Sequence, residues 1–268
     1  MTYKNRNKMD IVKKLSVIIV LITGIISCKQ EIKINTVKPS NETLNPKITV
    51  TDTIASSHPH PVKKTLQIEK ISAKEFHTVR QHAKVNKPLE KITDFKTVQQ
   101  QLSGVVDFKE TGDYLGINAI HFRNGISNQN EVDVSECSFV AYFPAEDVLL
   151  LECGHTTDVS FNLTTGQGTY AIGNLELIIT SPGEKYRLNK VFEGQECYYY
   201  FIQEKKNGTF QKVFELDKIF KKQYNQWLCT TEKEFWTDDT TLYFGEIIQY
   251  KEEGNEYEYY KVKITDSP

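Results

Sequence analysis

Tyr257-Glu258-Tyr259-Tyr260-Lys261-Val262-Lys263-Ile264 sets Tyr260, Val262 and Ile264 on one side of an extended chain and Lys261 and Lys263 on the other. Alternation with a period of two marks a strand with one face in a core and one in water. The same texture reaches back to Tyr114, in β-branched and aromatic runs broken by Gly, Asn, Pro and Asp. The runs are Phe139 to Phe143, Val148 to Cys153, Val159 to Leu163, Leu175 to Thr180, Cys197 to Gln203, Thr209 to Leu216 and Thr241 to Tyr250. The pattern predicts a mainly β domain of antiparallel strands over residues 66–268. Ahead of the strands, Ser72-Ala73-Lys74-Glu75 reads as a capping box with Ile71 and Phe76 as its hydrophobic staple, which opens a short helix over about 72–83. Leu89, Ile92, Phe95, Val98 and Leu102 follow Pro88 at helical spacing and predict a second over about 88–103.

A loose repeat runs through the strands. Phe143-Pro144-Ala145-Glu146-Asp147-Val148-Leu149, Ser181-Pro182-Gly183-Glu184-Lys185-Tyr186-Arg187-Leu188 and Trp236-Thr237-Asp238-Asp239-Thr240-Thr241-Leu242-Tyr243 each put a polar turn before an apolar strand. This resembles the blades of WD-like propeller repeats, which implies blade-like β-meanders. The spacings, 38 residues from Pro144 to Pro182 and 55 from Pro182 to Thr237, depart from that family, and Gly154-His155 stands far from Trp236. Closing a ring needs a fourth unit from residues 114–142; an open sheet or β-sandwich is the rival architecture.

The N-terminus is of another kind. Lys4, Arg6, Lys8, Lys13 and Lys14 precede an uncharged run of 13 residues, Leu15 to Ser27. As a helix this run rises about 20 Å, short of the ~30 Å hydrocarbon core of a membrane, and it suits the apolar stretch of a signal peptide over 1–27. It ends in Ile25-Ile26-Ser27-Cys28, which resembles the lipobox of bacterial lipoproteins. That resemblance implies lipidation of Cys28, cleavage before it, and anchoring to a membrane by palmitate-class chains. Lys29-Gln30-Glu31 carries no aspartate after the cysteine, which favours the cell outer membrane, with its periplasmic and surface faces both open. Asp52-Thr53-Ile54 resembles a short periplasmic O-glycosylation acceptor. From residue 28 to 65 the chain is polar and without period, a flexible tether with an r.m.s. reach of roughly 33 Å.

Charge is split along the chain. Residues 1–102 hold 18 Lys+Arg against 8 Asp+Glu, and residues 103–268 hold 15 against 27. An acidic domain without a basic, aromatic-interleaved patch argues against a nucleic-acid partner. No nucleophile elbow, phosphate loop or zincin helix occurs, and the lack of a Cys-x-x-Cys pair argues against a metal or cofactor. His58-Pro59-His60 lacks further ligands, and Gly166-Gln167-Gly168 reads as a turn.

Three features remain as candidates. Cys137 and Cys153 flank a turn at its midpoint, so an in-register hairpin opposes them and fits a disulfide, with buried free thiols as the alternative. His155 and Asp158, beside Thr156 and Thr157, have the residue types of an acid/base pair and equally those of a turn bonding its own backbone. Tyr198-Tyr199-Tyr200-Phe201 alternates faces in a strand, so at least one of Tyr198, Tyr199 and Tyr200 is expected to be exposed unless both faces are covered; such rings bind sugars or peptides, and core packing with a hydrogen-bonded hydroxyl is the alternative. The expectation is a non-enzymatic, lipid-anchored module that binds a protein, peptide or glycan. The alternative is an envelope hydrolase with a carboxylate or His-Asp site that leaves no local motif; a purely structural envelope protein is the third.

Overall fold

The alternation at the C-terminus is carried by β13 (Glu256–Asp266), with Tyr260, Val262 and Ile264 buried and Lys263 exposed. A computed structural model describes residues 64–83, 86–112, 114–126, 133–154, 157–194 and 197–266. Cys28, the signal-peptide stretch, Asp52-Thr53-Ile54, His58-Pro59-His60 and His155 lie outside the described residues.

The described strands form three antiparallel sheets. The five-stranded sheet runs β2 (Val106–Thr111), β3 (Tyr114–Ile120), β4 (Cys137–Phe143), β5 (Val148–Cys153) and β6 (Thr157–Asn162) in sequence order. The middle sheet is likewise sequential, from β7 (Ile179–Thr180) through β8 (Tyr186–Phe192) and β9 (Tyr198–Lys206) to β10 (Thr209–Glu215). The terminal sheet runs β11 (Thr231–Trp236), β12 (Thr241–Gln249), β13, and then β1 (Lys64–Ile71), which pairs with β13 from Lys64↔Asp266 to Ile71↔Tyr259. Residues 114–142 do not build a fourth unit: they supply β3 and β4 of the five-stranded sheet. The architecture is three blade-like meanders, the last completed by a strand from the other end of the domain.

The described residues form four short helices, two of them between sheets. The first, α1 (Ala73–Arg80), begins at the expected cap, where Ser72 Oγ accepts from the Glu75 N–H at 3.1 Å. Phe76 is fully buried against Phe235, Tyr243 and Tyr259 on the outer face of the terminal sheet. The helix ends at Arg80, and hydrogen-bonded turns carry the chain on to Ala83. The second helix, α2 (Phe95–Gln101), is shorter than its spacing predicts. Ile92 instead exchanges both backbone hydrogen bonds with Tyr142, at 2.8 and 2.9 Å, which takes residues 88–93 out of the helix, and Asp94 becomes the cap. Helix α3 (Thr169–Ile172) wedges between the five-stranded and middle sheets, while α4 (Leu216–Tyr224) lays Leu216 and Phe220 into the core between the middle and terminal sheets. Leu175 to Ile178 is apolar but not a strand: Leu175 and Ile178 pack as irregular chain against Leu150 and Phe143 of the five-stranded sheet.

The middle sheet therefore has two unlike faces. Tyr186, Leu188, Tyr200 and Ile202 meet Leu242, Phe244, Tyr260 and Val262 of the terminal sheet in an apolar sandwich. The other face carries Arg187, Asn189 and Gln203, buried polar groups joined to one another and to the backbone of α3.

Candidate functional site

The three polar turns of the repeat gather at one end of the molecule. Gly183 of the second donates its N–H to Asp239 Oδ1 of the third at 2.6 Å. Trp236, opening the third, donates from Nε1 to the Ile179 carbonyl at 2.8 Å. Glu146 of the first reaches the middle sheet, where both its carboxylate oxygens accept from Arg187, at 2.6 and 2.9 Å. Each is tight because a side chain or a left-handed residue closes it. Asp147 and Glu184 take φ of 52° and 57° at the ends of the first two, and Asp238 Oδ1 accepts from the Thr240 N–H at 2.7 Å in the third.

The first two turns, with Trp236 at the head of the third, frame an open cavity of about 1540 Å³, whose walls also include Pro88 and Leu89, the β9–β10 hairpin with Phe210, and Ile172 of α3. Arg187 forms its inner wall. It is 2 % exposed, donates from Nε to Gln203 Oε1 at 2.7 Å, and lays its guanidinium over the Phe210 ring at 4.0 Å. Most charged groups of the lining are spent within the protein, through Glu146–Arg187, Asp147–Arg123, Glu184–Lys205, Glu234–Lys190 and Lys212–Glu215. Among the described residues only Lys87 and Glu90 of the lining hold no ion pair.

Two carboxyls are pushed well above their usual range, and neither lines this cavity. Burial raises Asp217 to about 8, helped by Glu193 and Glu215 and opposed by the Tyr200 N–H, which donates to its Oδ2 at 2.7 Å. Burial also raises Glu246 to about 7, and Glu258, directly opposite on β13, adds to the shift. The charges acting on each differ, so the two carboxyls do not form a pair. Both are protonated more readily in the folded than in the unfolded chain. Their contribution to stability is complete below the unfolded value near 4 and is lost as pH climbs through about 7 and about 8. We expect the unfolding midpoint to fall over that window, by up to ~1.4 kcal/mol per pH unit for each group. The substitution Asp217→Asn flattens the fall; equal slopes for variant and parent in urea titrations across the window would reject this account.

The other candidates land as follows. Cys137 and Cys153 face each other in register on β4 and β5 and are disulfide-bonded. A second disulfide joins Cys197, just before β9, to Cys229, just before β11, and ties the middle sheet to the terminal one. Asp158, expected beside His155, is occupied with holding sheets together: its Oδ2 accepts from Asn174 Nδ2 at 2.9 Å and from the Phe192 N–H at 3.0 Å. Gly166 and its neighbours form a turn in which the Asn162 N–H donates to the Gln167 carbonyl. Of the tyrosines offered as ligand-facing, Tyr200 is corrected to the alternative of core packing with a bonded hydroxyl, while Tyr198 and Tyr199 are half-buried. Tyr200 is 0 % exposed, and its hydroxyl accepts from the Thr231 N–H at 2.8 Å, so it faces the core rather than a ligand. Tyr199, on the opposite face, is half-buried and donates to Glu215 Oε1 at 2.8 Å. Tyr198 is half-buried and borders a second, smaller cleft.

Among the described residues no group of three His, Cys, Asp or Glu side chains is placed to hold a metal ion, and no helix is long and apolar enough to cross a membrane. Sequence reasoning reached the three turns but not their meeting, nor Arg187 and Phe210, which come from separate stretches of the chain. The chain matches no protein-family model, no curated protein and no solved structure.

Proposed function

We propose that the protein is a bacterial cell-envelope lipoprotein, anchored to the outer membrane through lipid on Cys28 and carrying a non-enzymatic binding module on a tether. The observation that carries the binding part is the meeting of three similar turns beside one open cavity, which the first two and Trp236 of the third line. Loops held by a rigid scaffold are where proteins place recognition surfaces. The acids and bases of this rim neutralise one another, and the carboxyls best poised to exchange protons lie elsewhere, which favours binding over hydrolysis. The recurrence of the turn supports the blade-like reading of the repeat. Two disulfides support an oxidising location outside the cytoplasm. The ligand is a protein, peptide or glycan.

Two measurements test the reading. Cells fed labelled palmitate incorporate label into the protein and lose it in Cys28→Ser; an unlabelled parent chain rejects the anchor. Arrays of glycans and peptides probed with the full chain yield a ligand whose binding weakens at least ~5-fold in Lys87→Glu or Glu90→Lys, substitutions at the two rim charges without ion pairs. A ligand indifferent to both changes would take the cavity out of the proposal.

A further inference from the structure

At the end away from the three turns, the middle and terminal sheets part over a second cleft, of about 530 Å³, lined by Phe192, Tyr198, Thr230 and Tyr250. Phe192 and Tyr198 are paired across β8 and β9 with ring centroids 5.2 Å apart. Tyr250, on the terminal sheet's side, is 59 % exposed, and its hydroxyl donates to Thr230 Oγ1 at 3.2 Å. The wall behind them is stiff. The Cys197–Cys229 disulfide stands beside it, and the Tyr198 N–H donates to the Cys229 carbonyl at 3.1 Å, so the rings are set before any ligand arrives.

The surroundings say what fits. Other rings near the surface already carry a cation of the protein's own: Lys221 over Trp227 and Lys233 over Tyr257, each at 3.4 Å, and Lys212 over Tyr199 at 5.4 Å. Beside the cleft Lys190 lies 5.4 Å from the Tyr198 ring centre and is held by Glu234 at 2.8 Å. Among the described residues no lysine or arginine covers Phe192 or Tyr250. The mouth is also acidic: residues 246–258 hold five glutamates against one lysine, and Glu193 follows Phe192. Burial, then Asp158 and Glu234, raise the pKa of the Tyr198 hydroxyl, which places both carboxylates within electrostatic reach of the cleft. A sugar is read through several directional hydrogen bonds, and here most of the polar atoms are already committed, the Tyr198 hydroxyl being the exception among the lining residues. Asp158 Oδ2 serves Asn174 and Phe192, Glu234 serves Lys190, and the Tyr250 hydroxyl serves Thr230. A cation asks only for ring faces and negative potential.

We infer that this cleft takes a lysine or arginine side chain presented by a basic segment of a partner protein, its charge seated against the faces of Phe192 and Tyr250. The site is separate from the cavity at the three turns and stands without the lipid anchor.

Calorimetric titration of the full chain in detergent with an eight-residue lysine-rich peptide, its glutamate counterpart and a neutral chitin tetrasaccharide tests it. The lysine peptide binds, binds less tightly as salt is raised, and weakens about tenfold in Tyr250→Ala while Tyr250→Phe stays close to the parent. The glutamate peptide does not bind. Because Tyr250 is exposed, the variants keep the parent's urea midpoint, and Phe192→Leu supplies a second loss of a ring from the same cleft. No binding of the lysine peptide, binding that ignores Tyr250→Ala and Phe192→Leu alike, or tetrasaccharide binding that depends on Tyr250 would each overturn the inference.

Discussion

Arg187→Leu lowers the stability of the folded chain by about 3–5 kcal/mol, a large share of the ~5–15 kcal/mol available to a domain. The guanidinium is buried, and its departure strands two groups at once: the Glu146 carboxylate, which loses both donors, and Gln203 Oε1, which keeps only the Asn189 amide at 3.2 Å. The Phe210 ring loses the group packed on it. The damage comes from the partners left behind, so removing Glu146 as well repairs most of it; the double variant Arg187→Leu with Glu146→Leu recovers well over half of the loss. Urea unfolding of the two single variants and the double one measures this directly. Additive losses in the double variant would mean that the pair is not coupled, and that the lock between the five-stranded and middle sheets lies elsewhere.

Removal of the Cys197–Cys229 disulfide, by replacing both residues with Ala, is the second large effect. The bond spans 32 residues, and the loop-entropy relation gives about 4 kcal/mol for a crosslink of that length, against ~3 kcal/mol for the 16-residue span of Cys137–Cys153. The longer bond carries a further consequence, because it joins two sheets rather than two strands of one hairpin. Its loss opens the aromatic end while the three-turn end stays closed, so amide exchange rises around Tyr198 and Thr231 ahead of Gly183 and Asp239. Denatured, unreduced protein gives no alkylation at Cys137, Cys153, Cys197 or Cys229; modification of all four would remove the premise, and an unchanged urea midpoint in the double Ala variant would refute the magnitude.

The strands were legible wherever one face is wet. Alternation in β13 is a local signal because Lys261 and Lys263 mark the outer side, and the Ser72 cap is local because it is written within four residues. The signal failed where tertiary contacts decide. Leu89 to Phe95 matches helical spacing, yet Ile92 gains two backbone hydrogen bonds from Tyr142, about fifty residues on, which no local pattern announces. Helix α4 escaped notice because it follows β10 directly, with Glu215 giving no side-chain cap, and because its buried residues Leu216 and Phe220 also fit the end of a strand. Its one legible mark was Asn225, left-handed at φ 56° just past the last turn. The turns of the candidate site could be quoted from the sequence, since Pro144, Pro182 and Asp238 are turn formers. Their convergence depends on how three sheets stack, and the cross-links that report it, Glu146 to Arg187 and Gly183 to Asp239, bridge 41 and 56 residues. The burial of Tyr200 was hidden for the same reason: alternation says which rings share a face, not whether a second layer covers it.

The union of β1 with β13 bears on how the polypeptide matures. Lys64 and Asp266 become neighbours only after everything between them has been made, and the carbonyl of Ile68, on the strand next to β13, waits for Gln223 and Tyr224 of α4. Contacts of such separation form late and slowly, so a ribosome-bound nascent chain holds an incomplete terminal sheet, with β1 and β12 lacking β13 between them until residues 256–266 have been made. Under the export proposed above, that delay keeps the chain pliable during passage.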